Sequence, residues 1–323
     1  MTTTRRHALI AIGAALAAAG APAAWAQQAP IRIVVGFPAG GSIDTATRVV
    51  AEHMRATLGR PVIVENRPGA ASRVALEAMK HAKPDGETLI ASPSGPLTLF
   101  PHVYKNLRYD PLKDLTPIST IAAFDYAVTV GPATPAKTVA EYKRWAAANP
   151  DKANYGTTGA GTPAHFFAVS FAQRTGLQLS HVPYKGSGPA ITDLAAGQIS
   201  AVFSPVTEAA SLHKAGRIRI LATSGASRSE LVPEVPTLKE AGVDFDLSSW
   251  FALFGPAGLP AEIVQAYAKA AAAAAADPAV AERLAAAGLR PSSTSPQQLE
   301  KLQRDETAMW GPVVKASGFS LEE

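Results

Sequence analysis

Two periods of apolar positions alternate along this chain. Ile31 to Val35 is a short β-rich run closed by Gly36-Phe37-Pro38, which predicts a strand. From Thr45 the spacing turns helical, with Val49, Val50, Met54 and Leu58 on one face. The alternation continues with a strand over Val62 to Val64, a helix over Val74 to His81 and a strand over Thr88 to Ala91. Ile118 to Ala122 and Ala127 to Val130 read as two further strands with little between them. A helix over Val139 to Ala148 is closed by Asn149-Pro150, since the residue before proline resists the α region. In the second half, strands over Ala153 to Gly156, Ser180 to Pro183, Ile199 to Phe203 and Arg219 to Ala222 alternate with helices near 163–175, 188–196 and 206–215. After a strand over Trp250 to Gly255 only helices follow, over Ala261 to Ala276, Pro278 to Ala287 and Pro296 to Ser317. Such βαβα order predicts an α/β fold with parallel sheets covered by helices on both faces. Two α/β units joined by back-to-back strands, with a helical return, predict two lobes connected by crossing strands. Ligands of open α/β sheets bind at the carboxyl ends of strands, so those ends would line one cleft.

Composition narrows the chemistry. The 323 residues are 47% hydrophobic and 17% charged, which argues for folded domains over disorder. Thirty basic and 26 acidic residues leave +4, with no block of five like charges, so no concentrated basic patch marks a nucleic-acid partner. The chain has no cysteine, which excludes disulfides, thiolate nucleophiles and thiolate metal sites. None of its seven histidines lies three or four residues from another, so no helix carries a ready metal pair and no metal or cofactor is expected. At the start, Arg5 and Arg6 precede an uncharged stretch from Ala8 to Ala19, and Ala24-Trp25-Ala26 reads as a cleavage site. A leader cut after Ala26 and export to the periplasm are therefore expected. Thr4-Arg5-Arg6 leaves a twin-arginine route open beside the general one.

Three glycine-bearing loops sit between a predicted strand and a predicted helix. In Gly36-Phe37-Pro38-Ala39-Gly40-Gly41-Ser42, the glycines permit close backbone approach and Ser42 or Asp44 can cap the helix. Free N–H groups at a helix start form an anion site, although the same loop is also what a plain turn looks like. Gly156-Thr157-Thr158-Gly159-Ala160-Gly161-Thr162-Pro163 fits G-x-G-x-x-A through Gly159, Gly161 and Ala164. The acid that a dinucleotide site needs about 20 residues later is missing, because no Asp or Glu occurs between Asp151 and Asp193. A second anion cradle lined by Thr157, Thr158 and Thr162 is the reading that remains, with an oxidoreductase as the disfavoured alternative. Tyr184 and Lys185 follow a third strand and could close over an acid. His165 has two readings, a hydrogen bond within the second loop or packing within its helix, and Arg73 is a candidate counter-ion for a second ligand carboxylate. No G-x-S-x-G or H-E-x-x-H motif points to an enzyme.

Spread over the chain, IRIVVGFPAGGSIDTATRV, VIVENRPGA, KPDGETLI, YDPLKDLTPIS, NYGTTGAGTPAH, HVPYKGSGPAITDLAAGQI, VPTLKEAG and LFGPAGLP closely resemble the Bug-type solute-binding proteins of tripartite tricarboxylate transporters. The resemblance implies a two-lobed periplasmic binding protein fold of type II, with two sheets flanked by helices and a ligand cleft between the lobes. It implies residues 27–125 and 250–323 as one lobe and 126–249 as the other. It also implies capture of a small carboxylate and delivery to a permease with one large and one small membrane subunit. A sensor kinase is the alternative partner. Backbone amides and water hold the ligand carboxylate in that family, which carried over gives Phe37, Ala39, Gly40, Ser42 and Asp44. From the second loop it gives Thr157, Thr158, Gly159, Ala160, Gly161, Thr162 and His165. The sequence departs from the family pattern at Ala71-Ser72-Arg73, at Ser92-Pro93-Ser94-Gly95 and at Phe203-Ser204-Pro205. Arg73, Ser92, Ser94, Tyr184, Phe203 and Ser204 therefore complete the candidate set, and the gain of an arginine with the loss of an acid favours a dicarboxylate or an aromatic carboxylate over an amino acid.

Overall fold

A computed structural model describes residues 29–322, so the expected leader and its cleavage site lie outside the described residues. Strands β1 (Ile31–Val35), β2 (Val62–Asn66) and β3 (Thr88–Pro93) pair in parallel, with β1 between the other two. Helices α1 (Ser42–Leu58) and α2 (Arg73–Met79) connect them, and the short α3 (Ser94–Thr98) and α4 (Phe100–Val103) follow. Strand β4 (Leu115–Val130) comes next, then α5 (Val139–Ala148). A second parallel group consists of β5 (Asn154–Thr157), β6 (Ser180–Pro183) and β7 (Ala201–Pro205), with β5 between its two neighbours. Helices α6 (Pro163–Thr175), α7 (Ser187–Ala195) and α8 (Val206–Lys214) separate these strands and lead to β8 (Arg219–Thr223). The chain returns through β9 (Ser248–Pro256), α9 (Ala261–Ala276), α10 (Pro278–Ala286), the two-residue β10 (Arg290–Pro291) and α11 (Pro296–Ser317).

Two expectations need correction. The strands expected at 118–122 and 127–130 are one 16-residue strand, β4. The sheets are also mixed where parallel sheets were expected, because β4 pairs antiparallel with β7, β8, β9 and β10, and β3 pairs antiparallel with β9. Both differences have one cause. From Leu115 to Asp125 strand β4 pairs with β9, and from Tyr126 to Val130 it pairs with β7 and β8. One strand therefore belongs to both sheets, and β9 runs back beside it.

Packing follows this division. Ile33, Val35, Val50, Met54, Leu253 and Tyr267 share a cluster where α1 and α9 cover one face of the first sheet. Phe166, Phe167, Phe171, Tyr142 and Phe203 form another where α5 and α6 cover the second. Helix α11 spans the two halves. Its Leu299 packs with Leu76, Ile90 and Phe254 of the first half, while Trp310 and Val314 pack with Phe166 and Phe167 of the second. A serine–glutamine capping box at Ser295 and Gln298 fixes where this helix begins.

At the point where β4 changes partners, Asp125 is buried, with 1% of its side chain exposed. Both its oxygens take hydrogen bonds from Arg290, and Ser248 donates a third at 2.6 Å. Charge-assisted bonds of this kind let an acid sit inside a strand junction. Replacing Arg290 with alanine leaves that carboxylate without its cation. Urea unfolding is expected to show a loss of about 2–3 kcal/mol, below the value for a fully buried pair because the Arg290 side chain is 39% exposed. Arg283→Ala, which breaks only the exposed pair with Glu52, should cost under about 0.5 kcal/mol; equal losses in the two variants would contradict this account of the junction.

Candidate functional site

The parallel pairing sets which loops meet. Val35 at the end of β1 lies opposite Ala91 of β3 and Asn66 at the end of β2, so the loops after all three strands share one edge of the first sheet. Thr157 at the end of β5 lies opposite Pro183 and Phe203, so the loops after β5, β6 and β7 share one edge of the second. The two edges touch: a Cβ on Gly95 would come within 2.9 Å of the Pro163 ring at the start of α6. Carboxyl ends of strands from both sheets thus converge at one place.

The first loop is organised by a carboxylate. Gly41 occupies the cap of α1 with no side-chain hydrogen bond, so neither Ser42 nor Asp44 caps the helix as expected; Ser42 is its first residue. Asp44 instead folds back to accept the Gly40 N–H at 2.9 Å, the Arg48 Nε at 3.0 Å and the Asn66 Nδ2 at 2.8 Å. Burial alone would raise the Asp44 carboxyl, but together the hydrogen bonds from Arg48, Gly40 and Asn66 hold it below the usual carboxylate range. Asn66 also donates to the Phe37 carbonyl at 3.1 Å. Gly40 thereby spends its amide inside the loop. The amides of Ala39, Gly41, Ser42 and Ile43 find no partner among the described residues, and Ala39 and Ser42 are exposed while Phe37 is half-buried.

A strained turn presses on this loop. Ala70, Ala71 and Ser72 have φ of 45°, 54° and 74°, a left-handed conformation that costs about 1–2 kcal/mol for each non-glycine residue. A Cβ on Gly36 would lie 2.7 Å from the Ser72 Cα, so the close approach requires glycine there. The Ser72 hydroxyl is buried without a hydrogen-bond partner among the described residues. Arg73 follows directly; its guanidinium stacks 4.2 Å over the Tyr104 ring, its Nε donates to the Ala70 carbonyl, and it lines a cavity of about 390 Å³ with Glu77 and Tyr109. Ser92 and Ser94 are both buried at the end of β3, and the Ser94 hydroxyl lies 3.1 Å from that of Ser249 on β9.

In the second loop Thr162 caps α6, accepting the His165 N–H at 3.3 Å and donating to the Gly159 carbonyl at 2.8 Å. Thr158 donates to Thr162 at 3.2 Å, and the Gly159 N–H donates to Thr157 at 3.3 Å. The Gly161 N–H donates to Nδ1 of His165, which makes that nitrogen the unprotonated one. The amides of Thr158, Ala160 and Thr162 find no partner among the described residues. His165 stacks on His181 with ring centroids 4.1 Å apart, and His181 in turn bonds the Thr157 hydroxyl at 2.7 Å. Burial, with His181 adding to it, pulls His165 down to about 4, and burial pulls His181 down to about 4 as well.

Other candidates sit differently. The Tyr184 ring covers Gly156, where a Cβ would meet it at 3.0 Å, and its hydroxyl donates to Asp193 at 2.8 Å. Burial, then the Asp193 carboxylate, pushes that hydroxyl up to about 12. Phe203 is fully buried in the aromatic core against Tyr155, Phe167 and Phe171, so its side chain is not brought to the loops. Ser204, its neighbour on β7, is buried and faces the other way along the strand alternation. Three residues that organise the site escaped sequence reasoning: Asn66, Ser249 and His181. Asn66 and His181 carried a signal, through their places in the ENRPGA and HVPYKGSG stretches, and Ser249 carried none. Among the described residues no group of three or more His, Asp or Glu is placed to hold a metal, and no helix is long and apolar enough to cross a membrane.

Residues 46–319 match the tripartite tricarboxylate transporter family receptor. The chain is 32% identical to Protein BugT of Bordetella pertussis over the full length of both. Among solved structures it resembles Rpa4515 of Rhodopseudomonas palustris with adipate, at 31% identity and a TM-score of 0.79, covering 92% of this chain and 99% of that one. It also resembles MatC of the same organism with bound malate, at 29% identity and a TM-score of 0.74, covering 88% and 98%.

The histidine pair generates a pH dependence. Both rings favour the neutral form when folded and have ordinary values of 6.5 when unfolded. Between about 6.5 and about 4 the unfolded chain binds more protons, so stability falls as pH drops through that window. Urea midpoints measured across the window should fall more steeply for the native chain than for His181→Phe, which keeps a ring against Tyr155 but cannot titrate. Equal slopes would remove the pair as the cause.

Proposed function

This chain belongs to the tripartite tricarboxylate transporter receptor family, a family of two-lobed solute-binding receptors and not of enzymes, and on that premise we propose that it captures a small dicarboxylate in its cleft and delivers it to a membrane permease. The observation that carries the reading is that two helix-starting loops, each with amides that lack a partner among the described residues, lie on sheet edges that touch at Gly95 and Pro163. Amides at the start of a helix favour an anion by roughly 0.3–1 kcal/mol per contact, and no charged side chain is then needed to hold a carboxylate. Relatives solved with adipate and with malate, both diacids, support that ligand class.

In this reading the first carboxylate is held by the amides of Ala39, Ser42 and Ala160, while the Thr158 and Thr162 hydroxyls donate within the second loop and shape it. The second carboxylate extends toward the strained turn and Arg73. Residues 27–125 and 250–323 form one lobe and 126–249 the other, a division supported by the change of partner on β4 between Asp125 and Tyr126. The C-terminal half of α11 qualifies it, since Trp310 and Val314 pack against the second lobe. Export of the chain, with cleavage after Ala26, places the receptor in the periplasm beside a permease of one large and one small subunit. Capture with release suits a micromolar dissociation constant, about −8 kcal/mol.

A thermal-shift screen of the mature chain against mono-, di- and tricarboxylates and aromatic acids tests this. A ligand at 100 times its Kd should add about 2.7 kcal/mol of stability. One diacid class is expected to give the shift, and Arg73→Ala should weaken that diacid by about tenfold, the loss of one charge-assisted contact, while leaving monocarboxylates unchanged. Unchanged affinity of Arg73→Ala for every diacid would remove Arg73 from the site, and a flat screen with no small molecule released on unfolding would overturn the carboxylate reading itself.

A further inference from the structure

Glu306 stands in the middle of α11, where the helix passes from the core cluster of one half to that of the other. It is almost fully buried, and no cation pairs with it among the described residues. Its partners come from three separate elements. The Trp250 indole of β9 donates to Oε2 at 2.7 Å, and the Trp310 indole of α11 reaches Oε1 at 3.2 Å. Thr98 of α3 lies 3.2 Å from Oε1, and its hydroxyl also reaches the Ser94 carbonyl at 3.0 Å.

Every side-chain hydrogen bond to this carboxyl is one it accepts. An indole only donates, so both carboxyl oxygens must accept. Thr98 donates at Oε1, so that oxygen takes Thr98 and Trp310 while Oε2 takes Trp250. Burial raises Glu306 above the ordinary carboxyl value against the opposing bonds from Trp310, Trp250, Thr98 and Ser94, and the other titratable group that feels its charge is the buried Tyr126. The turn it grips is the one that starts with Ser94, whose hydroxyl meets Ser249 on β9 and whose neighbour Gly95 touches Pro163.

We propose that Glu306 is a positioning residue for the cleft: its carboxyl locks the α3 turn that carries Ser94 to the crossing strand β9, so that this wall of the cleft and the lobe junction move as one body. The proposal deepens the receptor reading and rests on it for the consequence on affinity. It does not rest on that reading for the mechanical coupling, which is a property of the ligand-free chain.

Two variants of similar volume separate packing from hydrogen bonding. Glu306→Gln keeps one carbonyl oxygen but turns an amide toward a second indole, and Glu306→Leu keeps no partner. Amide hydrogen exchange of the ligand-free chain is expected to quicken at residues 95–99 in the order wild type, Gln, Leu, by about tenfold or more for Leu, with α1 unchanged. Affinity for adipate, or for malate where that acid gives the larger thermal shift, should fall in the same order. If Leu unfolds the chain, the comparison of Gln with wild type decides alone: unchanged exchange at 95–99 overturns the proposal. So does a folded Leu variant with wild-type exchange there, or exchange that quickens equally in α1. If wild type binds no acid of the screen and releases none on unfolding, the receptor reading fails while the exchange result still decides the role of Glu306.

Discussion

Antiparallel pairing of Leu115–Asp125 with Ser248–Pro256 is the interaction on which both halves of this receptor depend. A strand can serve two sheets only if its backbone partners change without leaving polar groups unpaired, and β4 does this within one residue step, from Ser248 opposite Asp125 to Pro205 opposite Tyr126. The acid at that step is tolerated because Arg290 and Ser248 complete its hydrogen bonds. Each sheet then builds its own parallel group outward from the shared strand, and the carboxyl ends of both groups are left facing one another. The binding loops are a consequence of that topology, because helix starts must follow strand ends in parallel units.

Much of this organisation was legible in the sequence. The periods gave the helices at 139–148, 163–175, 261–276 and 296–317 and the strands at 31–35 and 180–183 with the bounds the structure has. What escaped has physical reasons. Asp125 reads as a break because a charge inside an apolar run normally ends a strand, and the arginine that neutralises it is 165 residues away. Periodicity carries no information about strand direction, so the return of β9 could not be seen. The helices at Ser94–Thr98 and Phe100–Val103 are too short for a helical period to register.

The site divides the same way. Glycine loops between strand and helix announce themselves, and the family resemblance located both of them. Side-chain commitments do not: that Gly40 gives its amide to Asp44, that Tyr184 gives its hydroxyl to Asp193 and that Phe203 points into the core all depend on tertiary neighbours. The three consecutive left-handed residues at 70–72 were equally hidden, since alanine and serine carry no mark of that conformation. Strain of this sort persists where surrounding contacts over-determine it, and here those contacts are with Gly36 at the mouth of the first loop.

Two lobes joined through β4 and β9 are expected to close on a carboxylate. Because the chain has no cysteine, spin labels can be placed through Arg55→Cys on α1 and Lys214→Cys on α8 without competing thiols. Electron-electron distance measurement on that double variant, with and without the acid that gives the largest thermal shift, reads the lobe angle directly. A distance distribution that shifts and narrows when ligand is added is the predicted result. Distributions that coincide while calorimetry shows the ligand bound would contradict it.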